Sequence, residues 1–139
     1  GGMRQAGILA AAGLVALRDG AAGMIDRLAD DHANARRLAE AFAAMSEIRS
    51  AGDIAQPGDG PLDPDRVRTN FVLFRVACDR AAFLEAVRAR GVLLEWYPHH
   101  QVRAATHVGI GPAEIERTIV AVREALRALP PAPATGSPA

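Results

Sequence analysis

The chain has 139 residues, half of them hydrophobic and about a quarter charged, which suits one domain with a real core and excludes disorder as its overall state. Sixteen basic residues balance sixteen acidic ones, so no basic nucleic-acid surface is implied, and aromatics at 4% leave no stacking platform for bases or sugars. The one cysteine, Cys78, excludes an internal disulfide and a cysteine zinc cluster.

All sixteen basic residues are arginine. Arginine stays protonated and is a poor nucleophile, so no side chain here can supply a Schiff-base amine. Residue 1 is Gly and the first methionine is Met3, so the sequence reads as a piece of something longer, or as a remnant ahead of a natural start at Met3.

Taken in chain order, residues 5–17 predict a small-residue helix. The apolar run behind Arg4 has the order of a signal peptide. One arginine ahead of it, Arg18 and Asp19 directly after it, and a length too short for a bilayer favour a buried helix instead. Apolar residues all round predict burial on more than one side, against something outside the chain. Glycines before a helix start can cradle a phosphate beside Arg4, or leave a flexible end with a solvated arginine.

A long amphipathic helix is predicted over 22–45. Leu28, Ala35, Leu38, Phe42 and Met45 fall three, four or seven apart and should face inward. Asp26, Asp30, Asp31, Arg36, Arg37 and Glu40 should form the solvated face, with Arg36 and Glu40 as an i,i+4 pair. Asp30 and Asp31 are consecutive and point to different sides, so they are no acid/base dyad. Residues 50–65, rich in Gly, Pro and Asp, read as a loop.

Residues 69–76 form the strongest strand signal, through Phe71, Val72, Leu73 and Phe74. Asp79 is the expected N-cap of a helix over 80–90, with Phe83, Leu84 and Val87 inward and Gly91 as its stop. A second strand follows over 92–96, a turn at Pro98-His99-His100, and a third strand over 102–106. The last helix starts near Pro112 and carries the stripe Ile115, Ile119, Val122, Leu126 and Leu129. Residues 130–139 have the Pro/Ala/Ser/Gly composition of a disordered tail. The order predicts an α+β fold: a roughly three-stranded, mostly antiparallel sheet packed with helices and preceded by a long helical segment.

Few residues carry chemistry. Strand alternation puts Arg103 and Ala105 on one face and Val102 and Ala104 on the other. An arginine beside small residues leaves room for a planar carboxylate, or is simply wet. His99, His100 and His107 are close in sequence, but no Cys, Asp or Glu joins them at a metal-ligand spacing. Cys78 near a helix start is an activated thiol or a small core residue. Gly109-Ile110-Gly111 alone is a weak phosphate signal.

Five segments together resemble one family. Gly1-Gly2-Met3-Arg4-Gln5-Ala6-Gly7 looks like the GGMRQAG segment of the low-specificity L-threonine aldolases. Asp31-His32-Ala33-Asn34-Ala35-Arg36-Arg37-Leu38-Ala39 is similar to their DHxNAxxLA helix. Thr69-Asn70-Phe71-Val72, Gly91-Val92-Leu93 and the run Val102-Arg103-Ala104-Ala105-Thr106-His107 resemble their later strands, in the same order. The stretch Glu95-Trp96-Tyr97-Pro98-His99-His100 matches no family pattern.

The resemblance implies a pyridoxal 5′-phosphate enzyme of fold type I that cleaves L-threonine or L-allo-threonine to glycine and acetaldehyde. The Schiff-base lysine would lie upstream of this chain, which alone would be inactive. Residues 1–20 would end the large domain or form an interface segment, 21–129 would be the small C-terminal α+β domain, and 130–139 a tail. Arg103 matches the arginine that binds the substrate α-carboxylate. Arg4 matches the arginine near the cofactor phosphate, supplied from a neighbouring subunit. The implied setting is a cytoplasmic homo-oligomer, dimer or tetramer when complete, with no nucleic acid and no membrane partner. The alternatives are a related β-eliminating amino-acid lyase and a non-enzymatic α+β binding or oligomerisation module.

Overall fold

A computed structural model describes residues 4–18, 23–52 and 60–131. The elements run α1 (Ala6–Leu17), α2 (Leu28–Ala43), β1 (Ile48–Ser50), a 3-10 turn (Pro64–Arg66), β2 (Phe71–Val76), α3 (Arg80–Arg88), β3 (Glu95–Tyr97), β4 (Gln101–Ala105) and α4 (Pro112–Ala128). The fold is α+β, as the element order predicts.

The sheet has four strands in the order β1-β2-β4-β3, every pair antiparallel. The additional strand is β1, three residues paired Ile48 to Val76, Arg49 to Arg75 and Ser50 to Phe74. Three residues hold too little alternation to register as a strand, and β2 is what makes them one. The second predicted strand also shifts: β3 begins at Glu95, after the buried Val92 whose N–H still bonds back to Val87.

Helix α4 packs against both α2 and α3, and α2 contacts β1 and β2. Val72 and Phe74 of β2 and Val102 and Ala104 of β4 are buried in the core with Ala35, Leu38, Phe42, Phe83, Val87, Ile115, Ile119 and Val122. Phe74 is central to it: its ring meets Phe42 edge-on at 5.0 Å and Phe83 at 6.3 Å, so one strand residue ties α2 to α3. Phe71, Leu73, Arg103 and Ala105 alternate with these core positions and lie on the other face of the sheet.

The helix ends follow their local chemistry. The Asp79 carboxylate accepts from the Ala82 N–H at 2.8 Å and caps α3. Gly91 takes φ of 78° just past its end, the left-handed conformation glycine adopts without strain. Gly111 has no side chain to cap α4, and Glu114 compensates by accepting from the Gly111 N–H at 3.1 Å. Pro98 to Gln101 closes the β3–β4 hairpin: the Gln101 N–H donates to the Pro98 carbonyl, and His99 and His100 sit at φ of 59° and 61°.

Two expectations for α2 are corrected. Leu28, the first residue of the helix, is 47% exposed, while Ala35, Leu38, Phe42 and Met45 are buried as the spacing predicts. Asp31, expected on the solvated face, is 3% exposed. It is accommodated by Arg27, whose Nη2 lies 2.7 Å from its carboxylate. The Arg36–Glu40 pair forms at 2.8 Å.

Helix α1 buries none of its residues. Ile8, Leu9, Leu14, Val15 and Leu17 are each more than 60% exposed. A twelve-residue helix without tertiary burial is marginal in water, and its apolar surface demands a partner. The chain on its own is therefore expected to self-associate. Sedimentation velocity should give species heavier than a monomer, and Leu9→Asp with Leu14→Asp should shift them back. A wild-type chain that stays monomeric at high concentration contradicts this. Residues 1–3, 19–22, 53–59 and 132–139 lie outside the described residues, and with them the glycines of the expected phosphate cradle, part of the predicted loop and most of the predicted tail. Pro131 is described and forms a bridge to Cys78.

Candidate functional site

The site is built on β4 and the strands beside it. Arg103 pairs in register with Leu73 of β2 on one side and Glu95 of β3 on the other. Its alternation with the buried Val102 and Ala104 turns its side chain to the open face, as the sequence pattern predicts. The guanidinium carbon lies 5.2 Å from the Phe71 ring centroid and 5.5 Å from that of Tyr97, within cation–π range of both. Nη2 pairs with the Glu95 carboxylate. Nε is buried and has no hydrogen-bond partner among the described residues. A guanidinium held by rings, with an unsatisfied donor on its edge, is suited to receive a carboxylate.

Two sets of bonds fix the strands that carry Arg103. At the far end of β4, Thr106 is 1% exposed and its hydroxyl donates to the Asp31 carbonyl at 2.7 Å. The Thr106 N–H donates to the Asn70 carbonyl at 2.9 Å, and Asn70 Nδ2 returns a bond to the Thr106 carbonyl at 2.8 Å. Asn34, three residues past Asp31 on the same side of α2, donates to the Ile110 carbonyl at 2.9 Å. So Asp31, Asn34, Asn70 and Thr106, which stand in the motif segments, latch the end of β4 to α2 and β2. At the hairpin end, Arg80 Nη1 donates to the carbonyls of Tyr97 at 3.0 Å and Gln101 at 3.2 Å, and its guanidinium carbon sits 4.9 Å from the Trp96 ring centroid. The i,i+3 spacing of Asp31 and Asn34 was a signal for one shared face. Glu95 and the aromatic neighbours of Arg103 gave none, because cross-strand register decides who meets whom.

The remaining candidates separate. Arg4 is exposed in the turn before α1 and makes no hydrogen bond to another described residue; no described contact joins it to Arg103. His99 and His100 are exposed in the hairpin turn, and His107 Nδ1 lies 2.7 Å from the Val108 carbonyl. No group of three or more His, Cys, Asp or Glu among the described residues is arranged to hold a metal. Cys78 is buried, and burial pushes its thiol up, with the charges of Asp79 and Glu47 adding to the shift. That is the opposite of activation. The amide of Gly111, the second glycine of Gly109-Ile110-Gly111, is spent on Glu114. A cleft of about 330 Å³ adjoins Phe71 and Leu73 and includes Arg66 and Arg68, but Arg103 is not among its lining residues. No helix among the described residues is long and apolar enough to cross a membrane.

The geometry is that of an α+β unit with Arg103 on the open face of its sheet, paired with Glu95, and without a lysine. The chain belongs to the beta-eliminating lyase family, whose model matches residues 1–79. It is also 39% identical over 116 residues to the low specificity L-threonine aldolases of Escherichia coli O157:H7 and Escherichia coli strain K12, a match that covers 83% of this chain and 28% of each relative. The chain thus spans little more than a quarter of the length of the curated relatives it matches.

The family implies pyridoxal phosphate. Of the residues present, Arg4 offers a charge for its phosphate and Arg103 a donor for its substrate. No lysine is available for covalent attachment. Arg103, with its unpartnered Nε, fits the carboxylate of an amino acid that such a cofactor would hold.

Proposed function

We propose that this chain is the C-terminal part of a pyridoxal-phosphate-dependent threonine aldolase, which cleaves L-threonine or L-allo-threonine to glycine and acetaldehyde. The observation that carries the reading is Arg103: a cross-strand-positioned guanidinium on the open sheet face with a buried, unpartnered Nε. The family match and the names of the two aldolase relatives support it.

On this reading residues 1–20 end the large domain, 21–129 form the small domain, and the Schiff-base lysine belongs to the part of the protein upstream. Bound pyridoxal phosphate supplies the electron sink for the carbon–carbon cleavage. Arg103 binds the substrate α-carboxylate with two parallel N–H donors, which fixes the amino acid's orientation before reaction. Phe71 and Tyr97 limit the guanidinium's freedom, and the Asp31–Asn70–Thr106 latch holds the strand beneath it. Arg4 would neutralise charge at the cofactor phosphate, supplied by a neighbouring subunit of a cytoplasmic homo-oligomer. The exposed apolar face of α1 is covered there by the large domain and the subunit interface.

Product analysis tests the assignment. The full-length protein, incubated with L-threonine and pyridoxal phosphate, is expected to release glycine and acetaldehyde in equal amounts, whereas this 139-residue chain alone releases none. Ammonia and pyruvate from an aromatic amino acid would instead identify a β-eliminating lyase. Turnover by the isolated chain would refute the argument from the missing lysine.

A further inference from the structure

The segment over 95–100 holds none of the five motif segments, and the structure puts its first residue onto Arg103. Glu95 is the direct cross-strand partner of Arg103 in the β3–β4 register, so both side chains leave the sheet on the same face. Its Oε2 takes Nη2 of the guanidinium. We propose that Glu95 tunes the carboxylate affinity of the Arg103 site by acting as an internal carboxylate that an incoming one must displace. The inference rests on the reading of Arg103 as the substrate-carboxylate residue.

Three observations carry it. Nε and Nη2 lie on one edge of the guanidinium, the edge a carboxylate grips with both oxygens. Glu95 uses Nη2 alone and leaves Nε without a partner, so it fills half of a bidentate seat. A free carboxylate that took the whole edge would satisfy both donors, and displacement of Glu95 is favourable on that account. Second, Glu95 is the outer member of the pair: its side chain is 63% exposed against 29% for Arg103. A ligand approaching from the open face meets it first, and Glu95 can swing into water at little cost. Third, the pair is neutral as a unit. An anion approaching it lacks the attraction an unpaired arginine would exert and meets a like charge about one residue width away.

The consequence is a weaker and more selective site. Glu95 raises the concentration of amino acid needed to fill it, and it disfavours ligands that add a second negative charge near the α-carboxylate. Glutamine at 95 keeps the hydrogen bond through its carbonyl oxygen and removes the charge.

The test is calorimetric binding of glycine to the full-length protein with its cofactor, in the wild type, Glu95→Gln and Arg103→Ala. Exposed ion pairs are worth up to about 1 kcal/mol, so Glu95→Gln is expected to bind glycine about three- to fivefold more tightly. The gain should appear in KM for the amino acid substrate rather than in kcat. Arg103→Ala should lose glycine binding. If Arg103→Ala loses binding while Glu95→Gln binds no more tightly, the tuning role fails and the Arg103 assignment stands. If Arg103→Ala binds glycine normally, both fail. A purely structural pair predicts the reverse sign, weaker binding and a lower Tm in Glu95→Gln, and that result would also overturn the proposal.

Discussion

Arg103→Ala in the full-length protein is expected to raise KM for the amino acid substrate by about ten- to a hundredfold. The physical basis is the loss of a charge-assisted bidentate contact. Hydrogen bonds to charged groups contribute about 1.5–3 kcal/mol, and each 1.4 kcal/mol is a factor of ten. The protein should remain folded, because Arg103 is partly exposed and its ion pair is to the exposed Glu95. Arg103→Lys should recover only part of the loss. An ammonium group supplies charge but not the planar fork, and it stacks less well between Phe71 and Tyr97. Steady-state kinetics on the three proteins decides the matter: an unchanged KM in Arg103→Ala removes the carboxylate role.

Phe74→Ala has the largest expected effect on stability. Phe74 is completely buried and sits edge-on to Phe42 and Phe83, so its removal opens a cavity between β2, α2 and α3. A truncation of this kind costs about 3–5 kcal/mol, which is comparable to the whole stability of many domains. Urea denaturation followed by circular dichroism should show a midpoint far below that of the wild type, or no cooperative transition. Leu93→Ala is the matched control. Leu93 is 78% exposed, and its loss should move the midpoint by about 0.5 kcal/mol or less. Equal effects from the two substitutions would mean that the core is not organised around the Phe42–Phe74–Phe83 cluster.

The two predictions address opposite faces of one strand layer. Val72 and Phe74 on β2 and Val102 and Ala104 on β4 hold the sheet to its helices. Leu73 and Arg103, one residue along in each strand, face away from that core. The period of two separates the core face from the face that carries Arg103, so a substitution on one leaves the other in place. The Thr106 network joins the two faces. It is buried with the core, yet what it positions is the end of the strand that carries Arg103.

Much of this was legible in the chain itself, wherever the determining interactions are local. The apolar stripe of Ile115, Ile119, Val122 and Leu126 marks α4, and all four are buried. Asp79 and Gly91 bound α3 because a cap and a left-handed stop act within a few residues. The inward and outward positions of β4, and with them the face of Arg103, follow from alternation alone. Composition also determined that no lysine side chain among these 139 residues can hold an aldehyde cofactor as a Schiff base.

Tertiary structure decided the rest. Strand β1 exists because β2 pairs with it, and its three residues carry no periodicity of their own. Asp31 reads as a surface carboxylate on a charged helix, but Arg27 and the Thr106 contact at its carbonyl draw that position inside. Glu95 and Arg103 are eight residues apart in a hairpin whose register depends on how Pro98, His99 and His100 turn. Periodicity reports which side of an element a residue occupies. Which side chain it meets there depends on register between segments, and that is set only when the sheet closes.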